Sequence, residues 1–140
     1  MSVLELPATA ESVPRARRFL REQMTEAGTG ADLDTASLLV TEIVTNALLH
    51  AVPPLSLTVE VLPELVRVEV RDGSPAQPRV HTFTSTAATG RGLRLLDTLA
   101  ASWGVEQEPS SGKVVWFEVG PERESAWAGT ADAWLAAGEL

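Results

Sequence analysis

Glu42, Asn46 and His50 stand at i, i+4 and i+8 in the run Leu38-Leu39-Val40-Thr41-Glu42-Ile43-Val44-Thr45-Asn46-Ala47-Leu48-Leu49-His50. On a helix advancing about 100° per residue, the three polar side chains share an arc of about 80°. Leu38, Leu39 and Leu49 flank that arc, and Val40, Val44 and Ala47 face the other way. A helix apolar on nearly every side is packed on several, and a carboxylate there is costly unless it meets a cation, a hydrogen-bond donor or a pocket. The stripe is therefore expected to mark a site. His50 is the least specific of the three, because a histidine at a helix C-terminus interacts with the dipole and the last carbonyls without any catalysis.

Two further groups could do chemistry. Asp72 closes an alternating segment in which Val66, Val68 and Val70 share one face, so a carboxylate is expected at the rim of the buried layer. Taken alone, Asp72 reads as the first residue of a turn, followed by Gly73-Ser74-Pro75. Gly90-Arg91-Gly92 opens a leucine-rich helix, and glycines at a helix N-terminus let backbone N–H groups approach an anion such as phosphate. A lone Gly-x-Gly is more often a turn, and neither the P-loop nor the dinucleotide fingerprint occurs. With His81 as the only other histidine and no serine in a nucleophile elbow, zinc binding and Ser/His/Asp hydrolysis lack support.

The elements that must position these groups read in order along the chain. An edge strand from Val3 to Ala8, ended by Pro7, leads to an amphipathic helix with Ser12 as N-cap, Pro14 in the first turn, and Gly28 and Gly30 as stops. Asp32 or Asp34 starts a second helix, running to about His50 before Pro53-Pro54. Leu55 to Val61 and Val66 to Val70 alternate as strands about a Pro63-Glu64 turn. The stretch from Gly73 to Gly90 has no usable periodicity and is long enough to be a lid or binding loop. A third helix from Gly90 through Leu99 precedes a hairpin in which Val115, Phe117 and Val119 face inward. These readings give a two-layer α+β sandwich, with a mainly antiparallel mixed sheet and about three helices on one face.

At 140 residues the chain is one domain, divided as 1–120 and a C-terminal tail 121–140, where Trp127 and Trp134 share a helical face. The absence of cysteine excludes a disulfide scaffold and a thiolate metal site. No apolar run is long enough to cross a bilayer and no signal peptide is evident, so a cytoplasmic protein without membrane contact is expected. A net charge of -8 argues against direct nucleic-acid binding. Arg15, Arg17, Arg18 and Arg21 gather on one helix face, read first as solvated and second as a patch for a protein partner.

Taken in order, Glu42-x-x-x-Asn46, Asp72 and Gly90-Arg91-Gly92 resemble the N, G1 and G2 boxes of the GHKL (Bergerat-fold) ATP-binding superfamily. Within it the chain most resembles the small bacterial anti-sigma-factor serine/threonine kinases, over about Ser12 to Val119. The resemblance implies ATP and Mg²⁺ as cofactors. It implies that Asn46 ligates the magnesium, Glu42 is the general base, and Asp72 with Gly73 receives adenine. The backbone of Gly90, Arg91, Gly92 and Leu93 would cradle the phosphates beneath a short lid at 76 to 89. Two departures stand out. The G1 box usually reads Asp-x-Gly, whereas Asp72-Gly73-Ser74 displaces the glycine by one. Where relatives often place a threonine beside the aspartate, Gly112-Lys113-Val114-Val115 has valines, implying adenine contacts that are weakened or water-mediated.

The function expected from this likeness is a kinase that phosphorylates a STAS-type anti-sigma-factor antagonist and holds a sigma factor, with a homodimer formed through the N-terminal strand. The alternative is a nucleotide-gated binding module without significant phosphoryl transfer. A sensor histidine kinase catalytic domain is disfavoured, since no dimerisation helix or transmembrane segment is read and the lid is short.

Overall fold

The computed structural model describes residues 1–50, 54–73, 90–108 and 112–122, with the backbone alone at 50, 90–93 and 108. The expected lid with Ser74 and His81, and the tail with Trp127 and Trp134, lie outside the described residues. The elements are β1 (Ser2–Leu6), α1 (Ser12–Ala27), α2 (Leu33–His50), β2 (Leu55–Leu62), β3 (Leu65–Asp72), α3 (Gly90–Leu99), β4 (Ser102–Glu108) and β5 (Gly112–Val119).

The strands form one sheet in the order β1-β2-β3-β5-β4. Every neighbouring pair is antiparallel, in keeping with the mainly antiparallel sheet expected. The reason lies in the connections. The β3-α3-β4 crossover skips one strand position, and β5 fills it antiparallel to both. Pro63 and Glu64 make the tight β2–β3 turn, with Leu62 in register opposite Leu65.

Strand alternation sets the two faces. Leu57, Val59, Val66, Val68, Val70, Phe117 and Val119 are all buried on one side, where Ala16, Leu20 and Met24 of α1, Leu39, Val40, Ile43 and Val44 of α2, and Leu95 and Leu96 of α3 complete the core. On the other face Arg67 lies 4.2 Å from the Trp116 ring centroid and 3.0 Å from both Glu69 and Glu118. Burial pulls the Arg67 pKa down, but the hydrogen bonds and charges of the two glutamates outweigh it and hold the guanidinium above its ordinary value.

Helix α1 begins at Ser12 itself, so its N-cap position falls one residue earlier than expected. Glu11 occupies the N-cap position without a side-chain bond, while the buried Ser12 hydroxyl donates to the Pro7 carbonyl. Gly28 ends the helix in the left-handed region at φ 67°, its N–H donating to the Met24 and Thr25 carbonyls. Of the two aspartates proposed to start α2, Asp32 does so. Its carboxylate accepts from Thr35 N at 3.2 Å and from Thr35 Oγ1 at 2.6 Å.

The segment before α2 is tied to the sheet end that carries the Pro63 turn. Gly30 N donates to Pro63 O at 2.7 Å, Asp32 N to Gly120 O at 2.8 Å, and Thr29 Oγ1 to Leu62 O at 2.6 Å. These bonds fix where α2 starts, and so where its side chains arrive.

Candidate functional site

From that anchored end α2 runs toward the opposite end of the sheet. Residues 51–54 separate its last residue from Leu55, and Ser56 is in register with Arg71, so the helix ends level with the end of β3 at Asp72. Helix α3 ends at the anchored side, where Ala101 N donates to Glu118 O at 2.7 Å. Its first turn, about 15 Å away along the axis, is the end reached from Asp72 through residues 73–89. α3 packs on α2, and α2 packs on α1, β3 and β5. The C-terminal half of α2, the end of β3 and the start of α3 thus converge on one end of the molecule.

Side chains on α2 divide sharply. Leu39, Val40, Ile43 and Val44 are fully or almost fully buried, whereas Glu42 and Asn46 are half-buried. Leu38 is 36% exposed and Leu49 68%. The helix is packed on several sides, as expected, but not on all of them. One side of α2 is open among the described residues, and the polar stripe lies along that side, where a carboxylate keeps much of its hydration. Glu42 and Asn46 stand one helical turn apart, facing the same way. The neighbouring threonines do not compete with them, because Thr41 Oγ1 donates to Ser37 O at 2.8 Å and Thr45 Oγ1 to Thr41 O at 2.7 Å. His50 ends the helix, and its side chain lies outside what is described.

Asp72 follows the strand parity and is buried, 4% exposed, on the inner face. Opposite it in register on β5 is Lys113, with Nζ 3.5 Å from Asp72 Oδ2. This partner was missed in the sequence. The valines expected beside the aspartate are displaced: Val115 pairs with Val70 and Val114 with Arg71. The available signal was Lys113 itself, the chain's one lysine, at the same parity as Val115, Phe117 and Val119.

Gly73 follows β3 directly, and the backbone of Gly90, Arg91, Gly92 and Leu93 is helical, forming the first turn of α3. Those four residues therefore direct backbone N–H groups outward at a helix start, as anion binding requires.

The residues present suit a magnesium nucleotide. Among the described residues no group of three or more acidic or histidine side chains could hold a metal by itself. A single amide oxygen from Asn46 is the kind of sparse protein donor that suits Mg²⁺ bridging phosphates, since this ion takes few protein ligands and completes its shell with phosphate and water. Among the described residues, no helix is long and apolar enough to cross a membrane.

Comparison with known proteins gives a consistent assignment. The histidine kinase-like ATPase domain family matches residues 6–119. The nucleotide-free catalytic domain of the histidine kinase ThkA is similar in structure, with a TM-score of 0.50 and 19% identity over 87% of this chain and 100% of that one. The Acinetobacter baumannii histidine kinase AdeS gives a TM-score of 0.52 and 9% identity over 88% of this chain and 69% of that one. No curated protein sequence matches the chain. At these identities the two structures speak for the fold, and the family match over most of the chain shows that it belongs to the histidine kinase-like ATPase domain family of the GHKL superfamily.

Proposed function

We propose that this GHKL-type ATPase domain is an ATP- and Mg²⁺-dependent protein serine/threonine kinase that phosphorylates a small STAS-type anti-sigma-factor antagonist and so regulates a sigma factor in the cytoplasm. The observation that carries the reading is the pairing of Glu42 with Asn46 on the open side of α2, at the sheet end where β3 closes on Asp72. Bound Mg²⁺·ATP supplies the phosphoryl group to be transferred and the positive charge that offsets its oxygens.

The chain's own residues divide the remaining work. Asn46 offers its side-chain oxygen to the cation, and the N–H groups of Gly90 to Leu93 receive phosphate oxygens. Asp72 and Gly73 hold the base. Glu42 would accept the proton of a substrate serine hydroxyl at a carboxylate oxygen as that hydroxyl oxygen takes the γ-phosphoryl group, the bond from its phosphorus to the bridging oxygen breaks and ADP leaves. The basic face of α1, where Arg17, Arg18 and Arg21 are exposed, offers a surface for an acidic protein partner, and edge strand β1 one for a second copy of the chain.

The test incubates the purified chain with labelled ATP, Mg²⁺ and candidate antagonist proteins, alongside Glu42→Ala and Asn46→Ala. The kinase reading expects label on an antagonist serine that disappears in Glu42→Ala while ATP binding survives. ATP binding without label on any antagonist would replace it with the nucleotide-gated binding module.

A further inference from the structure

Leu38, Glu42, Thr45 and Leu49 follow one another at i, i+4, i+7 and i+11 along α2. At that spacing the four side chains share an arc of about 60°, the geometry of a seam along which a helix packs on a partner. Leu38 is 36% and Leu49 68% exposed, whereas Leu39, Val40, Ile43 and Val44 on the core side are at most 3% exposed. Thr45 turns its hydroxyl to the Thr41 carbonyl, which leaves Glu42 as the polar centre of the row. A single exposed leucine is ordinary. Two of them in line with the proposed base, one on each side of it, are not accounted for in that way.

By the rise of an α-helix, Glu42 stands about 6 Å along the axis from Leu38 and about 10 Å from Leu49. A hydroxyl that yields its proton to Glu42 must come within hydrogen-bond reach of that carboxylate, so the protein carrying it rests on this side of α2. An interface of about 800 Å² per partner has a radius of about 16 Å, and both leucines then fall inside the footprint, near its centre. The centre of an interface is where apolar side chains lose most water.

We propose that Leu38 and Leu49 are specificity-determining residues that dock apolar side chains flanking the phosphoacceptor serine of the protein substrate. One contact lies about 6 Å to one side of the hydroxyl and the other about 10 Å to the opposite side. This rests on the kinase reading, with Glu42 as base, and deepens it by stating the chemistry around the serine. Charged flanking residues would be desolvated against leucine without a partner, and carboxylates there would also be repelled by Glu42, so the row rejects them.

The experiment follows phosphorylation of candidate STAS-type antagonists by the intact chain at saturating Mg²⁺ and ATP, with ATP affinity measured in parallel by calorimetry. For an antagonist that wild type labels, Leu38→Gln/Leu49→Gln is expected to raise KM at least about tenfold, with kcat and ATP affinity within about twofold of wild type. Leu38→Met/Leu49→Met, which keeps both side chains apolar and of similar volume, is expected to keep the wild-type KM. Glutamine is a good helix former at exposed positions, so the variant chain should fold. An unchanged KM in the glutamine variant overturns the proposal and leaves the kinase reading standing. A loss of ATP affinity in that variant overturns it too, assigning the leucines to the nucleotide. Mapping the labelled serine gives a check that needs no variant: apolar side chains on both sides support the proposal, and charged ones overturn it. Failure of wild type to label any antagonist overturns the kinase reading itself, and the docking row with it.

Discussion

Lys113 Nζ approaches Asp72 Oδ2 to 3.5 Å across adjacent antiparallel strands, in side chains 8% and 5% exposed. Removing one partner leaves the other charge in a poorly solvated place. Asp72→Asn or Lys113→Met is therefore expected to lower unfolding free energy by about 3–5 kcal/mol. The double variant Asp72→Leu/Lys113→Met recovers most of that loss. Urea denaturation of the two single variants and the double variant reads this directly, and additive losses would show that the two side chains do not act as a pair.

Asn46 is expected to matter through the cation alone. In wild type, chelating Mg²⁺ should weaken ATP binding, whereas Asn46→Ala should bind ATP weakly and almost equally with and without the metal. Calorimetric titration in magnesium and in chelator makes the comparison. Equal magnesium dependence in the two chains would remove Asn46 from the ligand set.

Glu42, half-buried on the same side of α2, has a separable role. Glu42→Gln keeps size and hydrogen bonding but cannot take a proton. It should lower phosphoryl transfer by about 10²–10⁴-fold while ATP affinity changes little. Parallel kinase assays and binding titrations distinguish this from a general loss of the site, which would lower both.

Gly28 and Gly104 test the scaffold in different ways. At Gly28, φ 67°, an added Cβ meets nothing within 4 Å, so Gly28→Ala should cost about 1–2 kcal/mol from the left-handed backbone alone. At Gly104 an added Cβ would stand 2.8 Å from Trp116 Nε1, so Gly104→Ala must displace the indole and with it the stacked Arg67. Its cost of about 1–3 kcal/mol should fall markedly when Trp116→Ala is already present. Denaturation midpoints of the single and double variants provide the measurement.

Much of this arrangement was legible in the chain. The 2- and 3.6-residue periods placed the strands and helices, and strand parity alone put Asp72 on the inner face, because alternation is a local property. The open side of α2 was not legible. Leu38 and Leu49 read as packing residues by type, yet which sides of a helix are covered depends on where α1, α3 and the sheet fall. The Lys113 partnership was hidden for a similar reason: it needs the β3–β5 register, and the two residues are far apart in sequence. Ser12 misled because a serine two residues ahead of a proline has the composition of a cap, while here its hydroxyl turns back to the Pro7 carbonyl.

The bonds from Thr29, Gly30 and Asp32 to Leu62, Pro63 and Gly120 carry a consequence for how such a domain can diversify. They gather register, helix entry and turn at the pole remote from Asp72, so the chain between β3 and α3 can change length or composition without moving any of them. Variation in that connection is then uncoupled from foldability, and segments exchanged between homologous domains at Gly73 and Gly90 should alter ligand choice while leaving amide exchange in β2, β3 and β5 as slow as before.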